Sequence, residues 1–207
     1  VTTTPDQTNR LSPSQTRSRD RVARVLDAAE RVLARDGYEG ASLQSFAKEA
    51  GVSQTSLYRY WPNKQGVFMA ISDRFMAERA TTMEGWIERA RDGITVDEIV
   101  SMIVTSMNED YGGTDWMPAC LIALRSDAEL RKVDQEINRY FTGQFDKLLK
   151  AAGFTASAAR RKSVAAMMTV LLDAFLAELM RVDKKQRPAL SKEFEAVLSA
   201  YLREALN

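Results

Sequence analysis

Five neighbouring residues between positions 54 and 59 carry hydrogen-bonding side chains: Gln54, Thr55, Ser56, Tyr58 and Arg59. No acidic residue occurs from Val52 to Lys64, whereas an ordinary solvated helix face mixes both charge signs. The chemistry open to such a set is recognition of a polyanion with readable edges. Gln pairs in bidentate fashion with adenine and Arg with guanine, each pair worth roughly 1–3 kcal/mol of discrimination. Catalytic chemistry finds little support. The chain has no histidine, which removes His-based triads, His general bases and nearly all zinc sites. No metal-ligand or nucleophile constellation is evident, so no catalytic residue, metal or cofactor is expected.

To present that set to a groove, the chain needs two helices at a steep angle with almost no connection. Three positions supply the angle. Ala47 is small enough for close helix approach, Gly51 tolerates positive φ in the turn, and Leu57 pins the second helix to a core, with Val52 helping. Ser42 is a good N-cap for a helix whose buried face is Leu43, Phe46, Ala47 and Ala50, and Ser53 caps the short helix after it. Ahead of both, Val22, Val25, Leu26, Ala29, Val32 and Leu33 recur at three- and four-residue spacings and predict a helix from Arg19 that ends at Asp36-Gly37. Pro62 marks the far boundary, because it disfavours helical geometry at Trp61.

The segments Gly37–Ala47 and Gly51–Lys64 together resemble the N-terminal domain of the tetracycline-repressor (TetR) family of transcriptional regulators. An aromatic pair is kept at Tyr60-Trp61, while Pro62 stands where that family often has a basic or polar residue. Carried over by position, the resemblance implies base reading by Gln54, Ser56 and Arg59, with Gln44 from the preceding helix as a further reader. It implies phosphate contacts from Tyr58, Tyr60 and Lys64, with Ser42 and Thr55 as supporting donors. The expected partner is double-stranded operator DNA, read at two half-sites by a homodimer.

The remaining sequence is helical in character: Ala, Leu, Arg, Glu and Met are plentiful, and Gly and Pro number 10 and 5 among 207 residues. The fold class expected is all-α. A disordered basic arm (1–18) precedes a three-helix helix-turn-helix domain (19–64) and a helical effector-binding and dimerisation domain (65–207). Helical patterns cover about Lys64–Met83, Trp86–Arg91, Val96–Asn108, Met117–Arg125, Asp127–Ala152, Ala156–Arg181 and Pro188–Leu206, with a loop at Tyr111–Asp115 around Gly112-Gly113. Residues 1–64 carry ten Lys/Arg against seven Asp/Glu and the rest 19 against 21, a mildly basic head on a mildly acidic body. The head's arm adds Arg10, Arg17, Arg19 and Arg21 as sources of sequence-independent attraction, or none if it is merely a solvated tail.

In the resembled family the last two long helices pair with their copies. The corresponding dimer face here would use Leu172, Leu176, Phe194, Val197, Leu198, Tyr201 and Leu202. A small-molecule effector pocket is likewise implied among the middle helices, with Phe75, Met76, Met102, Ser106, Trp116, Cys120, Phe141, Met168 and Asp173 as candidate walls. Met and aromatic residues make adaptable walls and serve equally well as core. Asp173 serves equally as a structural carboxylate hydrogen-bonded to a neighbouring helix. Cys120 is the single cysteine, so the chain holds no internal disulfide. Val1–Arg19 has no apolar run of signal-peptide type. Val164–Met180 is short of a bilayer span and carries two carboxylates, Asp173 and Glu178. A cytoplasmic protein of bacterial type, without membrane contact, is expected. The function expected is that of a transcriptional repressor released from its operator by a small molecule. Two alternatives remain: control by a partner protein, or an all-helical enzyme using carboxylates such as Asp173 or Glu178.

Overall fold

The computed structural model describes residues 13–113, 115–128 and 130–206. The chain divides into two compact units, Val1–Ile71 and Ser72–Asn207.

In the first unit, α1 spans Pro13–Gly40 and buries Val25, Leu26, Ala28, Ala29, Val32 and Leu33. These positions fall at the three- and four-residue spacing of a single helix face. Gly37 leaves helical geometry at φ 70°, which marks the stop read from Asp36-Gly37. The helix begins at Pro13, six residues earlier than the apolar pattern suggests. The rest of the expected arm, with Arg10, lies outside the described residues.

Helix α2, Leu43–Ala50, begins at a reciprocal cap. The Ser45 amide donates to the Ser42 hydroxyl at 3.1 Å and the Ser42 amide to the Ser45 hydroxyl at 2.9 Å, satisfying two amides that the helix itself leaves open. Leu43, Phe46 and Ala47 are buried, and Ala50 is half-buried. Gly51 ends the helix in the left-handed conformation at φ 65°, and its amide reaches back to the Ala47 and Lys48 carbonyls. The Val52 amide also donates to Ala47 at 3.0 Å. This tight reversal leads directly into α3, Gln54–Tyr58, whose buried side chain is Leu57. The Leu57 carbonyl then accepts the amides of Tyr60 at 2.9 Å and Trp61 at 3.0 Å, closing the turn before α4. Helix α4 spans Lys64–Arg91 and gives Val67, Phe68 and Ile71 to this unit's core, with Phe68 edge-on to Tyr38 at 5.4 Å.

The second unit contains the remainder of α4, then α5 (Val96–Gly113), α6 (Met117–Ser126), α7 (Leu130–Ala151), α8 (Ala158–Arg181) and α9 (Arg187–Leu206). Helix α8 packs on α7 and α9, α5 packs on α9, and α6 on α7. Eight α8 residues, from Val164 to Leu179, are buried, so an element apolar and long enough to cross a membrane (mean hydropathy 1.7) serves here as a core helix. Thr142 and Thr169 join hydroxyls at 2.9 Å across α7 and α8, and Arg161 binds Asp146 at 2.8 Å between the same helices. At the start of α5, Thr95 and Glu98 form a second reciprocal cap.

Two sequence expectations are revised. The separate helical pieces on either side of Gly85 are one helix, and α5 runs through Gly113 where a loop was expected from Tyr111. A single glycine inside a helix costs only about 1 kcal/mol, which flanking burial of Met83 and Ala90 outweighs. The two kinds of glycine respond oppositely to a methyl group. A Cβ would meet no atom within 4 Å at either Gly51 or Gly85, so backbone conformation decides. Gly51→Ala is expected to lower stability by about 1 kcal/mol through left-handed strain. Gly85→Ala is expected to raise it by about 0.5–1 kcal/mol. Urea denaturation of both variants checks the pair of signs.

Candidate nucleic-acid interface and helical body

Leu57 faces the core, which leaves Gln54, Thr55, Tyr58 and Arg59 exposed together on the other side of α3. Gln54 Nε2 donates toward the Tyr58 hydroxyl at 3.4 Å, and Tyr58 is 51% exposed. The Arg59 guanidinium lies 5.3 Å from the Tyr60 ring centre, with its Nη2 donating toward the Tyr60 hydroxyl at 3.4 Å. Gln44 is also exposed, at the second position of α2.

Four other residues of the expected interface are already engaged within the chain. The half-buried Ser56 joins hydroxyls with Ser53 at 2.8 Å, while its amide donates to the same Ser53 oxygen at 3.2 Å. Ser42 is occupied in the α2 cap. Lys64 Nζ donates to the Tyr38 carbonyl at 2.9 Å and stands 4.3 Å from the Tyr38 ring centre, so it ties the start of α4 to the connection between α1 and α2. Tyr60 is half-buried, tilted against Trp61 at 5.7 Å, and its hydroxyl meets that of Ser18 at 3.2 Å. Ser18 was not among the sequence candidates, since nothing in its polar surroundings marks it from the residues before it.

Electrostatics favour the same face. Elsewhere in this unit, Glu49 is pulled below the usual carboxylate range by hydrogen bonds from Arg31 (3.0 Å) and Arg35 (3.2 Å). Asp36 is pulled down by Arg35 at 2.9 Å. Glu49 thus holds both arginines between α2 and α1, and Asp36 holds Arg35 within α1. The Tyr60 phenol is also held below its usual value, by the hydrogen bond with Ser18 first and that with Arg59 second.

In the second unit a cleft of about 480 Å³ opens between α4 and α5. Of the candidate effector residues, Met102 and Ser106 line it. Arg79, also on the wall, donates to Ser106 at 3.1 Å and lies 5.3 Å from the Phe75 ring centre, and Phe75 meets Trp116 edge-on at 6.2 Å. Four residues are thus brought together, and sequence reading missed Arg79, Thr82 and Trp86, whose spacing along α4 is that of one helix face. The other candidates sit apart from the cleft. Met168 is fully buried in the core, Cys120 is buried in α6, Phe141 stacks on Phe145, and Met76 is half-buried on α4. Asp173 accepts a hydrogen bond from Arg125 at 2.7 Å on the surface. Burial, and then the Asp173 charge, push the nearby Asp134 carboxyl above its usual range.

Little of the expected dimer face is exposed in the single chain. Leu198 and Leu202 are fully buried within the single chain, and Leu172 and Leu176 are buried at 7% and 6% exposure, so they have almost no surface to offer another subunit. Phe194 stacks on Phe175 at 4.1 Å and Tyr201 is half-buried. Val197 alone of the expected set is well exposed, at 54%. On α8, Met167 (44%), Val170 (60%) and Ala174 are exposed along one face.

A short capped helix docked by one leucine across a left-handed glycine, with a cationic, acid-free outer side, defines a helix-turn-helix DNA-binding regulator. Residues 25–71 match the family model of bacterial regulatory proteins of the tetR family, and residues 117–202 match that of the tetracyclin repressor-like C-terminal domain. The chain belongs to the tetracycline-repressor (TetR) family of transcriptional regulators. It is 26% identical over 134 residues to the fatty acid metabolism regulator protein of Bacillus subtilis, covering 63% of this chain and 67% of that one. A DNA-binding transcriptional repressor TetR of Mycobacteroides abscessus is 42% identical over 57 residues, a match spanning 28% of this chain and 30% of that protein. Among solved structures, FadR from Bacillus subtilis in complex with stearoyl-CoA superposes with a TM-score of 0.68 at 22% identity, over 86% of this chain and 97% of the other. FadR from Bacillus halodurans gives 0.68 at 23% identity, over 94% and 99%.

Proposed function

We propose that this regulator is a dimeric repressor that leaves its operator when a small molecule enters the second unit. The observation that carries the DNA half is the exposed side of α3, where Gln54, Thr55, Tyr58 and Arg59 stand together without an acidic neighbour in the segment. Gln54 and Arg59 read base edges, with Gln44 beside them, while Thr55 and Tyr58 hold phosphates. Ser56 reaches a base only by giving up its hydroxyl bond to Ser53. Lys64 and Ser42 support the interface chiefly by fixing helix ends. On this reading the working protein is cytoplasmic, with a DNA-binding domain over 19–64 and an effector and dimerisation domain from 65 onward.

The effector half rests on the α4–α5 cleft, whose volume falls within the range of small-ligand sites. Trp86 and Met102 offer it apolar surface, and Arg79 and Ser106 offer hydrogen bonds. The Bacillus subtilis FadR structure contains stearoyl-CoA, which makes an acyl-CoA a reasonable first probe here. Such a ligand releases DNA only through its differential affinity for the two states of the dimer. Control by a partner protein is the competing arrangement, and titration of the operator complex with small molecules alone separates the two.

Selection of DNA fragments by the purified protein gives the operator needed to test the reading. Arg59→Ala is expected to erase preference at one base pair per half-site, at a cost of about 1–3 kcal/mol in affinity. Fluorescence anisotropy against single-base operator variants measures this. Undiminished affinity with unchanged preferences removes Arg59 from the interface.

A further inference from the structure

We propose that Tyr60 is a positioning residue for Arg59, anchored in turn by Ser18, so that the beginning of α1 takes part in base selection. This rests on the base-reading role of Arg59 given above, and it reassigns Tyr60 from gripping phosphate to aiming a neighbour.

Three kinds of contact converge on the Tyr60 side chain. Its ring lies against Trp61 at 5.7 Å, while its amide is held by the Leu57 carbonyl at 2.9 Å. Its face receives the Arg59 guanidinium at 5.3 Å, and its oxygen accepts from Arg59 Nη2 at 3.4 Å. On the other side its hydroxyl meets Ser18 Oγ at 3.2 Å.

The direction of the chain follows from donor inventory. A guanidinium only donates, so the phenol oxygen accepts from Arg59 and has its own proton left to give to Ser18. Donating to Ser18 strengthens acceptance from Arg59, since successive hydrogen bonds polarise one another. Arg21 lines the same small gap beside Tyr60 and adds positive charge without competing as an acceptor.

An exposed arginine otherwise samples many rotamers, and bidentate recognition of guanine demands one of them. Holding the guanidinium over a ring that is fixed on its other edge restricts that search before DNA arrives. Ser18 enters because α1 begins at Pro13 rather than at Arg19, which places a hydroxyl within reach of the segment that follows α3.

The test compares wild type with Tyr60→Phe, Ser18→Ala, Ser18→Thr and Arg59→Ala on the selected operator and its single-base variants, at several salt concentrations. Tyr60→Phe keeps the ring and removes the oxygen. It is expected to reduce discrimination about fivefold, only at the base pair whose preference Arg59→Ala erases. Ser18→Ala shifts the same position by a smaller factor, and Ser18→Thr restores it. The salt slope stays at the wild-type value in all three. If Tyr60→Phe instead weakens every sequence equally, with no loss of preference at that base pair, Tyr60 holds a phosphate and the proposal is overturned. An Arg59→Ala effect without any Tyr60→Phe effect overturns this proposal alone. No change of preference in Arg59→Ala removes the base-reading role beneath it as well.

Discussion

Truncating Leu57 to alanine is expected to lower the stability of the N-terminal unit by about 2–4 kcal/mol and to abolish operator binding. Helix α3 has only five residues, far below the length at which an isolated helix persists in water. Its attachment comes from the Leu57 side chain, 1% exposed, and from the Leu57 carbonyl that closes the following turn. The capping contribution of Ser53 is worth about 1 kcal/mol, too little to hold the helix once the leucine is gone. Since total stabilities are about 5–15 kcal/mol, the variant keeps a folded fraction but a weakened head. Urea unfolding followed by circular dichroism measures the loss as a shift in midpoint with little change in slope. Leu57→Met, similar in volume, is expected to lose less than about 1.5 kcal/mol and retain binding. An alanine variant as stable as wild type, still bound to operator, would mean that α3 is held by something other than this side chain.

Replacing Val170 by glutamate is expected to yield a monomer that binds the operator about a hundredfold more weakly. Val170 is 60% exposed in the single chain, so the change leaves folding within about 0.5 kcal/mol of wild type. Against another copy of the same face the carboxylate becomes buried without a partner, which is costly. Met167 and Ala174 share its face of α8, and α9 exposes Val197. Leu198→Ala makes the contrasting control. It removes a fully buried side chain from the chain's own core and is expected to cost about 2–5 kcal/mol of stability. Sedimentation velocity and operator titration on both variants separate assembly from folding. A Val170→Glu protein that remains dimeric with unchanged affinity would place the subunit contact on another face.

The head was legible because its signals are local. Ser42 and Ser53 cap the helices they precede, Gly37 and Gly51 take the positive-φ turns, and Ala47 and Leu57 are both buried. Each depends on a few neighbouring residues, which is the range over which sequence patterns carry physical meaning. The body was less legible because burial against one's own chain and burial against a second copy favour the same residue types. Leu198 and Val197 are adjacent and both apolar, yet one is fully buried and the other more than half exposed. Periodicity marks α9 as amphipathic and does not say which of its sides meets which surface. Lys64 and Ser56 show a related gap. A cation set over Tyr38, or a hydroxyl already taken by Ser53, follows from three-dimensional proximity and rotamer choice that no spacing rule encodes. Sequence reading named Met102 and Ser106 on the α5 wall of the cleft, while its α4 candidates, Phe75 and Met76, do not line it.

The apolar face of α8 and α9 has a consequence at the scale of the cell. If two copies must meet there before an operator is held, the active species is made from pairs at the low copy numbers where most chains are single. Its abundance then grows as the square of the amount of chain synthesised. Halving expression leaves about a quarter of the active repressor, by mass action. A gene under such control turns on sharply as the regulator is diluted by growth, even with no inducer present, and the steepness then follows from how tightly the two copies hold each other.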